Sequence, residues 1–343
     1  MSSVLGIDLG GTKVIVACLR GNQLSESALE PTDRSASTAL IDQLCAMVDR
    51  IRSDDLAAVG IGVPSIVDFE TGRVVSSVNI PLTDVPLRQV LGERLGVPVF
   101  VDNDATVAAL AEAHDAELRL VAHNLVMITI GTGVGGGIVL GGRIYRGATG
   151  GAGELGHTIV GLGLDGAAPV PSPGERFPQP GSLEYVAAGH ALDRLAAEAA
   201  LLEPDSALGK LRAEGKPVLG AEAVEAAQAG DTAAMEIVQT WAERVGIGIA
   251  NAINTFDPEE VVIGGGAARA GELLLEPAQR VARAYVVPGL GRGTNIRLAW
   301  HGVRAGVLGA ALLAAQEVEA SAGRDRLNGP AATLSAHEEA SGS

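Results

Sequence analysis

Short runs of valine, isoleucine and leucine alternate along the chain with longer stretches in which apolar residues recur every three or four positions. The first pattern predicts strands and the second amphipathic helices. Two of the short runs are interrupted by a glycine turn and then resume. One is Val4-Leu5-Gly6-Ile7-Asp8-Leu9-Gly10-Gly11-Thr12-Lys13; the other fills residues 125–140 around Gly131-Thr132-Gly133. Each predicts strand, tight turn, strand. Residues 4–20 make the first hairpin, and Gly21-Asn22 turns into a further strand. Ser37 or Thr38 caps a helix to about Arg52, with Leu40, Ile41, Leu44, Met47, Val48 and Ile51 on one face. Residues 59–63 predict a buried strand ending at Pro64, residues 73–75 a strand leading to Asn79, and residues 86–95 a helix opened by Pro86. A strand over 97–101 delivers Asp102-Asn103-Asp104, and a helix runs from Ala105 to about His114.

Residues 147–157 are too rich in glycine for a helix or long strand and read as an ordered functional loop. Residues 161–181, rich in Gly and Pro, predict irregular structure. Helices are predicted over 183–199, 221–229 and 231–253, the last capped by Asp231 and stopped by Asp257-Pro258. Residues 261–263 form a strand into Gly264-Gly265-Gly266, and a helix starts near Gly271. Residues 296–299 make a last strand and 306–318 a closing helix. From Ser321 to Ser343 the chain is polar, small and charged, which predicts a disordered tail. This alternation argues an α/β fold. The two hairpin openings read as an internal duplication, with a boundary near 110–120 and the closing helix returning to the first domain. The expected domains are 1–113 plus 305–320 and 114–304, followed by the tail at 321–343.

Composition narrows the functions. With 343 residues the chain is long enough for two domains and a sizeable core. A net charge of -16 argues against nonspecific binding to nucleic acid or anionic membrane. Cys18 and Cys45 are the two cysteines, without metal-ligand spacing or a disulfide framework. No leader pattern and no membrane-spanning apolar run stands out, so a cytoplasmic location is expected.

The glycine turns carry candidate chemistry. Glycine lets backbone N–H groups approach an anion without a Cβ in the way. Thr12 and Thr132 add hydroxyl donors and Lys13 adds charge. Asp8 stands where a carboxylate can hold a hydrated Mg²⁺. Two such turns suggest two halves closing on one polyphosphate. Neither is a Walker A loop, since no Gly-Lys-Ser/Thr follows at the required spacing. The second is not a Rossmann fingerprint, because Ile138-Val139-Leu140 continue as strand. Asp104 is the candidate base for attack of a sugar hydroxyl on a γ-phosphate; its position also suits a helix N-cap. Glu154, His157 and Glu184 can match the donors and acceptors of vicinal sugar hydroxyls. They also have plain structural readings, His157 as a packed histidine and Glu184 as an acidic first-turn residue.

Asp8-Leu-Gly-Gly-Thr-Lys13, Asn103-Asp104-Ala105, Gly131-Thr-Gly-Val-Gly-Gly-Gly137, Gly153-Glu-Leu-Gly-His157 and Gly264-Gly-Gly266 together resemble the ROK family of sugar kinases and repressors, which includes bacterial glucokinases. The resemblance covers about residues 4–315. It implies the actin-like ATPase (ribonuclease H-like) fold, duplicated domains with a cleft between them, ATP with Mg²⁺, and a homodimer. It also implies that Asp104 is the base, that Asn79, Asn103, Glu154, His157 and Glu184 contact the sugar, and that Asp8 holds Mg²⁺ through water. Gly10, Gly11, Thr12, Lys13, Gly131, Thr132 and Gly133 would hold phosphates, with Gly264, Gly265 and Gly266 near the adenosine. Two positions depart from the family. Its zinc site combines the loop histidine with three cysteines, but Ser182 stands in place of one, and the others fall near Glu175 and Phe177. No structural zinc is therefore expected. Ser65 follows Pro64 where glycine is common, on the sugar side.

The expected activity is ATP-dependent phosphorylation of a primary hydroxyl on a glucose-like hexose or sugar-like polyol. A C7-cyclitol or an N-acetylated hexosamine is the alternative acceptor. The alternative of another class is a non-catalytic sugar-binding regulator. A repressor is not expected, because the first turn begins within ten residues of Met1 and leaves no room for a winged helix before it.

Overall fold

The computed structural model describes residues 2–77, 79–163 and 170–327. In the first of two large sheets, β1 (Ser3–Leu9) and β2 (Lys13–Arg20) form an antiparallel hairpin, with Leu9 opposite Val14 across the turn. β3 (Gln23–Leu24) and β4 (Ala28–Pro31) pair with β2. After α1 (Ser37–Ile51), β5 (Leu56–Val63) returns parallel to β1. β6 (Ser65–Asp68) and β7 (Arg73–Ser77) make a small separate hairpin, followed by α2 (Leu87–Leu95). β8 (Val99–Asn103) lies parallel beside β5 and leads straight into α3 (Asp104–Glu112).

The second sheet repeats the plan. β9 (Leu125–Ile130) and β10 (Val134–Leu140) form its hairpin, flanked by β11 (Arg143–Ile144). Five helices follow: α4 (Leu183–Ala187), α5 (Gly189–Leu202), α6 (Ala207–Ala213), α7 (Gly220–Gln228) and α8 (Thr232–Phe256). Then come β12 (Glu260–Gly264), α9 (Glu272–Tyr285), β13 (Asn295–Leu298) and α10 (Ala305–Leu327). The strand orders β3-β2-β1-β5-β8 and β11-β10-β9-β12-β13 are the same pattern, a hairpin followed by two parallel strands. The duplication read from the two glycine turns is thus present in the topology.

Parallel strands need cover on both faces. α1 and α2 bury Leu40, Leu44, Met47, Leu87 and Leu91 against the first sheet. α4 to α9 cover the second around Trp241, whose indole N–H donates to the Ala187 carbonyl at 2.8 Å. α3 and α10 join the remaining faces in a third core. α10 lies so close to the first sheet that a Cβ on Gly6 would fall 2.0 Å from the Val307 carbonyl oxygen, and one on Gly60 1.8 Å from that of Ala310. At the C-terminal end of α3, the fully buried Glu112 accepts from Arg297 Nη1 at 2.7 Å and from the N–H groups of Trp300 and His301, each at 2.9 Å. Arg297 also contacts Glu260 at 2.6 Å. This cluster ties the helix that follows the first sheet to the last strand of the second.

Four helical stretches differ from the sequence reading, and strands β6 and β11 have no counterpart in it. Ala36, not Ser37 or Thr38, holds the cap position of α1, and the Ser37 hydroxyl donates to the Pro81 carbonyl instead. The helix expected over 183–199 breaks at Ala188, because the Gly189 N–H turns to the Gly131 carbonyl at 2.8 Å. α6 has no counterpart in the reading, being only seven residues long. α10 runs past residue 318 to Leu327, so residues 321–327 of the expected tail are helical. Residues 328–343 lie outside the described residues, as do 164–169 within the irregular segment. Among the described residues no helix is long and apolar enough to cross a membrane.

Candidate functional site

A cleft of ≈ 1150 Å³ lies between the two glycine turns. It is lined from the first half by Asp8, Lys13, Asn79, Asn103 and Asp104, and from the second by Gly131, Gly133, Glu154, His157, Glu184, Gly265 and Gly266. The strand ends explain the convergence. Asp8 sits near the end of β1, Asn103 and Asp104 at the junction of β8 and α3, and Gly265 just beyond β12.

The turns are closed alike. The Gly10 N–H donates to the Lys13 carbonyl and the Gly131 N–H to that of Gly133, each at 2.9 Å. No hydrogen bond engages the amides of Gly11, Thr12, Thr132 or Gly133 among the described residues. Such donors, held in a fixed turn, are suited to phosphate oxygens. Glu184 Oε2 accepts from the Val134 N–H at 2.8 Å and so braces the second turn.

Asn103 settles the capping question. Its Oδ1 accepts from the N–H groups of Ala105 at 2.9 Å and Thr106 at 3.2 Å, so it is the N-cap of α3. Asp104 is already inside the helix, its Oδ1 bound to the Ala105 N–H at 2.8 Å. Burial pushes the Asp104 carboxyl above the ordinary aspartate range. Asp8 is pushed up to about 6, first by burial and then by the negative charge of Asp104, with Lys13 pulling the other way. A buried carboxylate whose charge is only partly offset fits a hydrated cation. His157 meets the Phe177 ring edge-on, centroids 5.2 Å apart, and lies 3.7 Å from Glu154 Oε2. Ser182 Oγ accepts from the Tyr185 N–H and caps α4. Among the described residues no group of three or more His, Cys, Asp or Glu side chains is placed to hold a metal.

Six residues of the expected site stand back from the cleft wall. Gly10, Gly11 and Thr12 form the first turn, with Gly11 pressed against Asn79, a Cβ there falling 3.0 Å from the Asn79 Cβ. Ser65 is buried, its Oγ without a hydrogen-bond partner among the described residues, and its carbonyl accepts from Asn103 Nδ2 at 3.4 Å. Gly264 is packed under Met127. Thr132 instead lines a second cavity of ≈ 450 Å³ that shares Gly131, Gly266 and Arg269 with the cleft. Leu192, Val224, Trp241 and Ala270 give that cavity an apolar wall, and Asp193, Glu225 and Gln228 add polar groups. Sequence reading missed this cavity and Arg269. The one local signal was the position of Arg269, three residues beyond the glycine run at 264–266.

Two sheets of one repeated order, with a cleft between their hairpin turns, are the build of the actin-like ATPase fold. The chain belongs to the ROK family, whose pattern it matches over residues 4–317. It is 37% identical over 327 residues to a glucokinase of Halalkalibacterium halodurans, covering 91% of this chain and 95% of that protein. The crystal structure of a ROK family glucokinase from Streptomyces griseus in complex with glucose and AMPPNP is similar at a TM-score of 0.72 and 32% identity, covering 92% of this chain and 99% of that one. The ROK hexokinase from Thermus thermophilus is similar at a TM-score of 0.72 and 34% identity, with 93% and 99% covered.

Proposed function

We propose that this protein is an ATP-dependent kinase that transfers the γ-phosphate to a primary hydroxyl of a hexose, glucose first among them. The observation that carries this reading is the cleft lined together by Asp104, the polar set Asn79, Asn103, Glu154, His157 and Glu184, Lys13 of the first turn, and Gly131 and Gly133 of the second. The sugar sits against the polar set. Asp104 accepts the proton of the attacking hydroxyl as that oxygen bonds to the γ-phosphorus and the bond to the β-phosphate oxygen breaks. Its raised affinity for protons suits that task. The amides of Gly11, Thr12, Thr132 and Gly133, with Lys13, hold the phosphate oxygens. Asp8 would hold Mg²⁺ through water, which supplies charge neutralisation when bound. The apolar second cavity suits an adenine ring, and its acidic and amide rim suits ribose hydroxyls.

In this reading residues 1–113 with 305–320, and residues 114–304, are two domains that close on the substrates. His157, engaged with Phe177, belongs to the sugar side and not to a structural zinc site. A homodimer and a cytoplasmic location belong to the same reading on the family resemblance, and light scattering tests the first. The reading is tested by coupled ADP release with ATP and Mg²⁺ over hexoses, N-acetylated hexosamines and cyclitols. Turnover with glucose or another hexose is expected. Turnover confined to a hexosamine or cyclitol would move the acceptor. Sugar binding without ADP release would replace the kinase by a non-catalytic binding protein.

A further inference from the structure

Besides α4 with Glu184, three separate segments bring proposed sugar ligands to the cleft: the β6–β7 hairpin with Asn79 beyond it, the end of β8 with Asn103 and Asp104, and the loop of residues 147–157 with Glu154 and His157. One residue outside the cleft wall touches all three, two through its side chain and the third through its backbone. Arg146 Nε donates to Asp102 Oδ2 at 2.7 Å. Its guanidinium carbon lies over the Phe69 ring, 3.4 Å from the centroid, just past the end of β6. Its own carbonyl accepts from the Ala152 N–H at 3.1 Å and so closes the loop on itself.

Asp102 is 3% exposed, and its second oxygen accepts from the Asn103 N–H at 2.9 Å, directly before the proposed base. Neither Asp102 nor Arg146 lines the cleft. The loop tip is also seated on β6, where a Cβ on Gly150 would fall 2.5 Å from the Val67 carbonyl oxygen. A buried ion pair is a poor source of net stability, because desolvation opposes the attraction. Its geometric effect is firmer: a guanidinium held at Nε by a buried carboxylate and seated over an aromatic ring has few ways to move.

We infer that Arg146 is a positioning residue for the sugar, fixing the loop that bears Glu154 and His157 to the strand end that bears Asn103 and Asp104. The inference rests on the kinase reading for the identity of the ligand, and on geometry alone for the linkage. Arg146→Lys keeps a positive charge beside Asp102 but loses the flat face and the fork. Phe69→Leu removes the stacked ring and leaves both charges. Sugar held out of register with Asp104 costs ~10- to 100-fold in kcat/KM for the sugar.

The test measures sugar KM, ATP KM and kcat for the full-length protein and both variants. It adds amide hydrogen exchange over 147–157 and over α7 and α9 without ligands. Arg146→Lys should raise the sugar KM, leave the ATP KM within about twofold, and speed exchange in 147–157 but not in α7 or α9. Phe69→Leu should shift the same quantities less, and it decides alone if the lysine variant does not fold. Unchanged exchange in 147–157, or sugar and ATP KM rising together, would overturn the inference. If the unaltered protein phosphorylates no sugar, the kinase reading fails, and the exchange arm still decides whether Arg146 holds the loop.

Discussion

The two glycine turns share a backbone and differ in charge. Each joins the hairpin strands of a sheet with the same order, and each uses its first glycine amide to close itself. Around the first stand Asp8, Lys13 and, on the same half, Asp104. Residues 125–140 around the second contain no charged side chain, and the carboxylate that meets it, Glu184, is committed to the Val134 N–H. Duplication placed backbone amides with no hydrogen-bond partner among the described residues on both sides, whereas the aspartates and the lysine gathered on one. Carboxylates that are costly to ionise where the fold puts them, as Asp8 and Asp104 are, mark sites kept for chemistry.

The sharpest way to break this comparison is Asp104→Asn. Because Asn103 is the cap, asparagine at 104 should leave helix α3 intact and remove only the proposed base. Turnover under saturating ATP and sugar should fall ~10²–10⁴-fold, with sugar affinity and melting temperature nearly unchanged. Near-normal turnover would remove Asp104 from the mechanism.

Glu112→Ala tests the opposite end of the same helix, where charge is paired and not poised. Leaving Arg297 without its main buried partner should cost about 3–5 kcal/mol of unfolding free energy, read by denaturant titration. A loss under about 1 kcal/mol would show that the cluster does not tie the sheets together.

Asp8 predicts a smaller, pH-dependent effect. Its affinity for protons is raised by folding, from 3.8 to about 6. Its stabilising contribution is therefore complete below pH 3.8 and is lost as pH rises through about 6. Between pH 5 and pH 8 the natural protein should lose about 1.4 kcal/mol that Asp8→Asn does not lose. Equal pH dependence in the two would contradict the burial of that charge. The smallest effect belongs to residues 328–343, whose composition offers little apolar surface. Deleting them should change stability by less than about 0.5 kcal/mol and leave turnover in place.

Much of this was legible in the sequence, because local pattern decided it. Strict apolar runs broken by Gly10-Gly11-Thr12 and Gly131-Thr132-Gly133 leave little besides two hairpins, and the hairpins imply the duplication. The carboxylates beside them could be placed by strand ends alone. What escaped depends on contacts distant in sequence. The break at Ala188 exists because Gly189 bonds to Gly131, fifty-eight residues away. The joints made by Glu112 with Arg297 and by Asp102 with Arg146 span 185 and 44 residues. The second cavity is assembled from α5, α7, α8 and the turn after β12, none of which signals it alone.

The central claim is that both turns, charged and uncharged, hold one nucleotide. Amide hydrogen exchange with a non-hydrolysable ATP analogue, Mg²⁺ and glucose tests it directly, resolved over residues 9–13 and 130–134. The account predicts that both segments become protected together, at the same analogue concentration. Protection of one turn while the other exchanges as in the free protein would contradict it.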